Sequence, residues 1–256
     1  TISNVHVGSG SPLITLTSSE LTVNHLTTDD TSPLLAVADT TLTLNDISVQ
    51  GLKPIGTSLY LINTATSVLV ISKLDYIGGQ DQGDYLSLII GSNNNMTITE
   101  SRFVDAVYGN NKVFDLKESS LFVVSGSTFE YTTTAPDNLP LLFVLASSQT
   151  VVIENCVFSN TGRLFTNENT KKNLYFLGNT ILTDPHIQKM SIINNNNVYL
   201  VGNNFLTSIE HEEGEIYSTG QIEIVDSSGL TKLQNNIFFS LNGFYAIVQI
   251  QGASYS

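Results

Sequence analysis

The chain carries one cysteine and no tryptophan in 256 residues. With Cys156 alone no intramolecular disulfide can form, so stability has to come from packing, and the plain reading of Cys156 is a buried core thiol. Charge is also scarce: only 13% of residues are charged, and 10 basic side chains face 23 acidic ones for a net charge of -13. That balance opposes nucleic acid and anionic membrane as partners, while soluble calcium or a basic partner stays compatible with it. No apolar run approaches the roughly 18 residues of a membrane helix, so no membrane span is expected in this segment. The sequence starts at Thr1 without a methionine or a signal peptide, and is expected to be processed or to be part of something longer. Helical periodicity is missing too, because no window keeps apolar residues at i, i+3, i+4 and i+7 for three turns.

What is present is a repeated phrase. Val151-Val-Ile-Glu-Asn-Cys-Val-Phe-Ser-Asn160 has two alternating apolar residues, then Asn or Ser, any residue, and a large apolar anchor. Leu21–Leu26, Leu42–Ile47 and Leu69–Leu74 read the same way, as do stretches ending at Phe103, Phe129, Val157, Ile181, Phe205 and Ile237. The spacing varies, from 21 residues between Leu26 and Ile47 to 32 between Phe205 and Ile237, as expected for loops of different length on a fixed frame. Within one repeat, Leu34–Val37, Leu42–Leu44 and Ile47–Val49 are apolar runs of three to four residues separated by polar corners. Strands that short suit one triangular turn of a solenoid, with successive turns pairing in parallel about 4.8 Å apart.

The expected fold is therefore all-β: a right-handed single-stranded parallel β-helix of nine to ten coils with three short strands per coil, forming one domain over residues 1–256. First strands are expected near Leu13, Leu34, Leu59, Leu86, Val113, Leu142, Leu164, Met190, Ile222 and Ala246. Two residues before each anchor stand Asn24, Asn45, Ser72, Ser101, Ser127, Asn155, Asn179, Asn203 and Asn235. Asn and Ser are ordinary turn residues. They can also stack turn on turn, each amide satisfying buried backbone groups of its neighbour. The sequence predicts such a ladder, with Asn155, Asn179, Asn203 and Asn235 as one stack, Asn24 and Asn45 as another, and the three serines as a weaker patch between.

These residues resemble the right-handed parallel β-helix of the pectate lyase-like superfamily, over nearly the whole chain from Pro12 to Gln251. The resemblance implies a fold more than an activity, since lyases, hydrolases, tailspikes and adhesins share it. Polygalacturonase-like members carry Asn-Thr-Asp, Asp-Asp, Gly-His-Gly and Arg-x-Lys; here only Asp29-Asp30 occurs, and an acid and base must stand about 5 to 10 Å apart on one face. Lyase-like members use an Arg base beside calcium-binding acids, and the sequence puts neither Arg102 nor Arg163 in a visible cluster of Asp. No catalytic residue and no cofactor are assigned.

Other candidates are local. Glu210, Glu212, Glu213 and Glu215 around His211 form an acidic loop that could hold calcium or meet a basic partner, or simply be solvated. His6, His25 and His186 are scattered and receive no role. Asn95-Met-Thr97 is the one N-glycosylation sequon. Asn93–Asn95 and Asn194–Asn197 read as solvated breaks. Phe103, Phe129 and Phe205 should stack inside, whereas Tyr76, Tyr108, Tyr131 and Tyr245 could line an outer groove for a carbohydrate or other partner. Ile2–Val7 looks like the tail of an earlier coil and Ala246–Ile250 like a first strand, with no cap visible at either. The expected function is a structural or adhesive extracellular or cell-surface module without catalysis, associating end to end or with neighbouring domains. The alternative is a carbohydrate-active enzyme or a glycan-binding domain.

Overall fold

The structure, a computed structural model, describes residues 2–7, 14–28, 35–50, 60–78, 87–106, 112–132, 141–146, 150–161, 164, 173–183, 190–193, 196–207, 222–225, 228–240, 248–251 and 254–255. Among them there are strands and no helix. Val, Ile, Thr and Phe fill the runs, and their branched or aromatic side chains pack well on a pleated surface.

The strands stack as a parallel β-solenoid. Glu20–Thr28 pairs with Thr41–Gln50, and that strand with Val68–Ile77, always in parallel. The stack continues through Asn95–Thr99, Leu121–Ser125, Thr150–Glu154, Asn173–Leu177, Asn197–Val201 and Leu230–Gln234. Third strands stack alongside, from Arg102–Val104 through Thr128–Glu130, Val157–Ser159, Thr180–Thr183 and Asn204–Thr207 to Ile237–Ser240. First strands form a separate sheet: Ile14–Thr17, Leu35–Ala38, Ile62–Ala65, Ser87–Ser92, Lys112–Lys117 and Leu141–Ala146. Met190–Ile193, Ile222–Val225 and Val248–Gln251 form another.

One expectation needs correcting here. Five coils, not nine to ten, carry three separate strands among the described residues, the first being Ser87–Ser92, Asn95–Thr99 and Arg102–Val104. In Glu20–Thr28, Thr41–Gln50 and Val68–Ile77 the second and third strands run through the corner as one element. Leu26, Ile47 and Leu74 put an apolar residue just past the bend, and the pairing skips only the corner residue, His25, Asp46 or Lys73, before it resumes in the same register.

Strict register turns each inward position into a column. One column reads Leu21, Leu42, Leu69, Met96, Phe122, Val151, Leu174, Val198 and Thr231. Another reads Val49, Tyr76, Phe103, Phe129, Phe158, Ile181, Phe205 and Phe238. Phe103 and Phe129 stack with centroids 4.9 Å apart, Phe129 and Phe158 at 5.1 Å, and Phe205 and Phe238 at 4.9 Å. Ring spacing follows strand spacing because identical side chains in adjacent parallel strands adopt the same rotamer. Tyr76 and Tyr131 are buried, so they line no outer groove. A third-strand position two residues after an inward residue points inward again, and both tyrosines fall on that side. Tyr108 and Tyr245 lie outside the described residues.

Candidate functional site

The polar site of this molecule is the corner between the second and third strands. Each layer turns there on one residue in the left-handed conformation: His25, Asp46, Lys73, Glu100, Gly126, Asn155, Gly178, Gly202 and Asn235, with φ between 49° and 69°. The next residue points inward. In the first three layers it is Leu26, Ile47 or Leu74; from the fourth onward it is Ser101, Ser127, Cys156, Asn179, Asn203 and Asn236.

A polar side chain in that seat accepts the backbone N–H of the layer before it. Leu74 N–H donates to Ser101 Oγ at 3.1 Å, and Ser101 N–H to Ser127 Oγ at 3.1 Å. Cys156 N–H donates to Asn179 Oδ1 at 2.9 Å, Asn179 N–H to Asn203 Oδ1 at 2.9 Å, and Asn203 N–H to Asn236 Oδ1 at 3.0 Å. Each amide donates in turn: Asn179 Nδ2 to Ile153 O, Asn203 Nδ2 to Phe176 O, and Asn236 Nδ2 to Leu200 O. Asn179 and Asn203 have no solvent exposure, and this column satisfies backbone N–H and carbonyl groups that the bend turns inward.

Asn155 and Asn235, expected in the ladder, are not in it. Both are the exposed left-handed residue of their corner, and the ladder seats belong to Cys156 and Asn236. Asn is the side chain best tolerated in that conformation after Gly, which is why either of two adjacent positions fits an Asn on sequence grounds. Asn24, Asn45 and Ser72 also sit elsewhere: their register partner is Thr99, two residues before Ser101. They face outward and half-buried, and Asn45 Nδ2 donates to Asn24 Oδ1 at 2.9 Å. The signal in the sequence was the dipeptide: Gly-Ser, Gly-Asn, Asn-Cys and Asn-Asn each put a left-handed former just before the inward seat.

Cys156 behaves as a member of the column. Its thiol donates to Glu154 O at 3.2 Å, as Ser101 Oγ does to Thr99 O and Ser127 Oγ to Ser125 O. Burial pushes its pKa up to about 11, against the pull of the Ser127 N–H. It is a buried thiol, held largely in its less nucleophilic protonated form.

A second ladder occupies the first break. Ser18, Asp39, Thr66, Asn93 and Glu118 are left-handed there. Thr40 N–H donates to Ser67 Oγ at 3.3 Å, and Ser67 N–H to Asn94 Oδ1 at 2.9 Å. Asn94 is buried, with Nδ2 donating to Thr64 Oγ1 at 2.9 Å, so the run Asn93–Asn95 is not wholly solvated. Gly91 makes room for it, since a Cβ there would lie 2.3 Å from Asn94 Nδ2.

On the outside of the third strands, Arg102 stands between Asp75 and Glu130, each with a nitrogen-to-oxygen distance of 3.6 Å. Residues 27 and 28 positions apart meet only because the layers stack, and sequence spacing concealed this row. His25 Nδ1 and Asp46 Oδ2 are 2.5 Å apart at the exposed corner. Asn95 is exposed at the start of its strand. Asp29, Asp30, Arg163, His186, His211, Glu210, Glu212, Glu213 and Glu215 lie outside the described residues. Among the described residues no three His, Cys, Asp or Glu side chains converge on a metal site, and no helix is long and apolar enough to cross a membrane. No protein-family model, curated protein or solved structure matches the chain.

Proposed function

We propose that this chain is a structural or adhesive module of a larger extracellular or cell-surface protein, whose work is to carry and continue the stack. The observation behind this is a partly covered layer: Ile222–Val225 pairs onward with Val248–Gln251 and Leu230–Thr231 with Ser254–Tyr255, but the rest of the layer meets no described strand. Leu233 belongs to the inward column of Ile71, Ile98, Val124, Ile153, Phe176 and Leu200, all fully buried, yet is itself 37% exposed. Beside it Ile237 is 58% and Phe239 53% exposed, and Ile237–Ser240 pairs with Asn204–Thr207 on one side and with no described strand on the other. An unpaired strand edge next to exposed apolar side chains is a template for another strand. A further β-solenoid layer, from the same protein or from a second copy, supplies the missing hydrogen bonds and covers inward-facing Leu233, while Ile237 and Phe239, which flank inward-facing Phe238, gain an outward neighbour in the new layer.

The right-handed winding and the pectate lyase-like kinship belong to this proposal. Parallel strands joined by a crossover wind to the right in about 98% of cases, which supports the handedness. Light scattering tests the assembly: association should grow with concentration and be suppressed by Leu233→Lys with Phe239→Lys. A compact monomer at every concentration, with that edge protected from hydrogen exchange, would overturn it.

A second reading has its own support in the row Asp75, Arg102 and Glu130, which brings an Arg beside two acids on an outer face. A carbohydrate-active surface could be built there. Incubation with acidic polysaccharides, with and without calcium, separates the readings: new unsaturated or reducing ends that disappear in Arg102→Ala would favour this one.

A further inference from the structure

Asn95 differs from the other outward amides of the second-strand face. Asn24 and Asn45 bond each other. Asn197 Nδ2 donates to Asn173 Oδ1 at 2.7 Å, and Asn197 Oδ1 accepts Leu230 N–H at 2.8 Å. The column neighbours of Asn95 are instead Val68 and Leu121, 42% and 37% exposed. Its side chain has no hydrogen-bond partner among the described residues, although its backbone N–H is held by Ser67 O at 3.0 Å. Thr97, two residues on, projects from the same face, while Met96 between them is fully buried inside. The sole Asn-x-Thr sequence in the chain therefore falls on an exposed, unengaged amide. Asn179 and Asn203, both buried, have no such hydroxyl two residues on.

We infer that Asn95 is the acceptor of an N-linked oligosaccharide, an assignment that rests on the extracellular reading above. The donor is a polyprenyl pyrophosphate-linked oligosaccharide. Asn95 Nδ2 forms the bond to the anomeric carbon of its terminal N-acetylhexosamine, the carbon–oxygen bond to the pyrophosphate breaks, and the pyrophosphate leaves with the electron pair. Nδ2 gives up one proton to the transferase. Once attached, the first sugars have an open strand face to lie on, with the methyl groups of Val68 and Leu121 on either side. Carbohydrate C–H faces cover such groups, and no described hydrogen bond is lost because the Asn95 side chain is exposed and makes none.

Cell-free translation into microsomes, with a cleavable signal sequence appended, tests this without depending on folding. Among protease-protected chains the expected result is one discrete upward shift, removed by a peptide N-glycosidase that leaves an aspartate at position 95. Asn95→Gln and Thr97→Val should each abolish the shift, whereas Thr97→Ser should retain it. Protected chains that stay unshifted, or a shift that survives Asn95→Gln, would overturn the assignment. Neither result touches the stacking proposal, which is read by light scattering of the unmodified chain; conversely, a permanently monomeric protein would leave a shift at Asn95 standing.

Discussion

Replacing Asn179 by Leu removes the centre of the corner ladder while keeping the same branched shape and number of side-chain heavy atoms. Asn179 accepts Cys156 N–H at 2.9 Å and donates Nδ2 to Ile153 O at 2.9 Å and to Asn203 Oδ1 at 3.1 Å, all without solvent exposure. Asn203 Oδ1 keeps a partner after the change, because the backbone N–H of residue 179 still reaches it. The Cys156 N–H loses its partner outright, and Ile153 O loses one. At about 1 to 3 kcal/mol for each buried group left unpaired, the expected loss is about 2 to 4 kcal/mol. For a chain of this length that is a fall in Tm on the order of 5 to 15 °C. Asn173→Leu is the control: Asn173 is half-buried, it accepts one amide hydrogen from Asn197, and water can replace it, so less than about 1 kcal/mol is expected. Hydrogen exchange adds a local readout, because the Cys156 amide should exchange faster in Asn179→Leu and remain protected in Asn173→Leu. Equal melting temperatures together with an unchanged Cys156 amide would refute the ladder as a source of stability.

Cys156→Ser should be tolerated within about 1 kcal/mol, because Ser101 and Ser127 hold the same seat with the same bond to the carbonyl two residues back; chemical denaturation checks it. The thiol also predicts a pH dependence. Its folded-state pKa is raised to about 11 from an ordinary value of 9.0, so its contribution is complete below pH 9. Between about pH 9 and 11 the unfolded chain ionises first, and stability should fall by about 1.4 kcal/mol per pH unit, a slope that Cys156→Ser removes. Gly178→Ala should destabilise by about 1 to 2 kcal/mol in thermal unfolding, since φ is +63° and the new Cβ would stand 2.8 Å from Asn155 Oδ1. Phe129→Ala, which empties the stack between Phe103 and Phe158, should cost about 3 to 5 kcal/mol by the same measurement.

The solenoid was legible in the sequence because its cause is local. Short alternating runs such as Leu21-Thr-Val23 and Leu42-Thr-Leu44, repeated at similar spacing, cannot bury an apolar face except against their own copies, and the stacked phenylalanines at 103, 129 and 205 follow from the same period. The ladder was only half legible. The repeat points to Asn179, Asn203, Ser101 and Ser127, which hold inward seats, but also to Asn155 and Asn235, whose neighbours Cys156 and Asn236 fill the seats instead.

Composition and period by themselves determined that this chain is a parallel β-solenoid with a dry interior and polar corners, since both follow from which residues alternate and which tolerate a bend. Only the tertiary structure decided which of two neighbouring corner residues turns inward, because a left-handed bend swaps the faces and a single-residue slip looks identical in sequence. It also brought Asp75, Arg102 and Glu130 into one row and set Asn95 between the apolar Val68 and Leu121 of the adjacent layers, as both depend on the register between layers, where contacts span more than twenty residues and no local pattern records them.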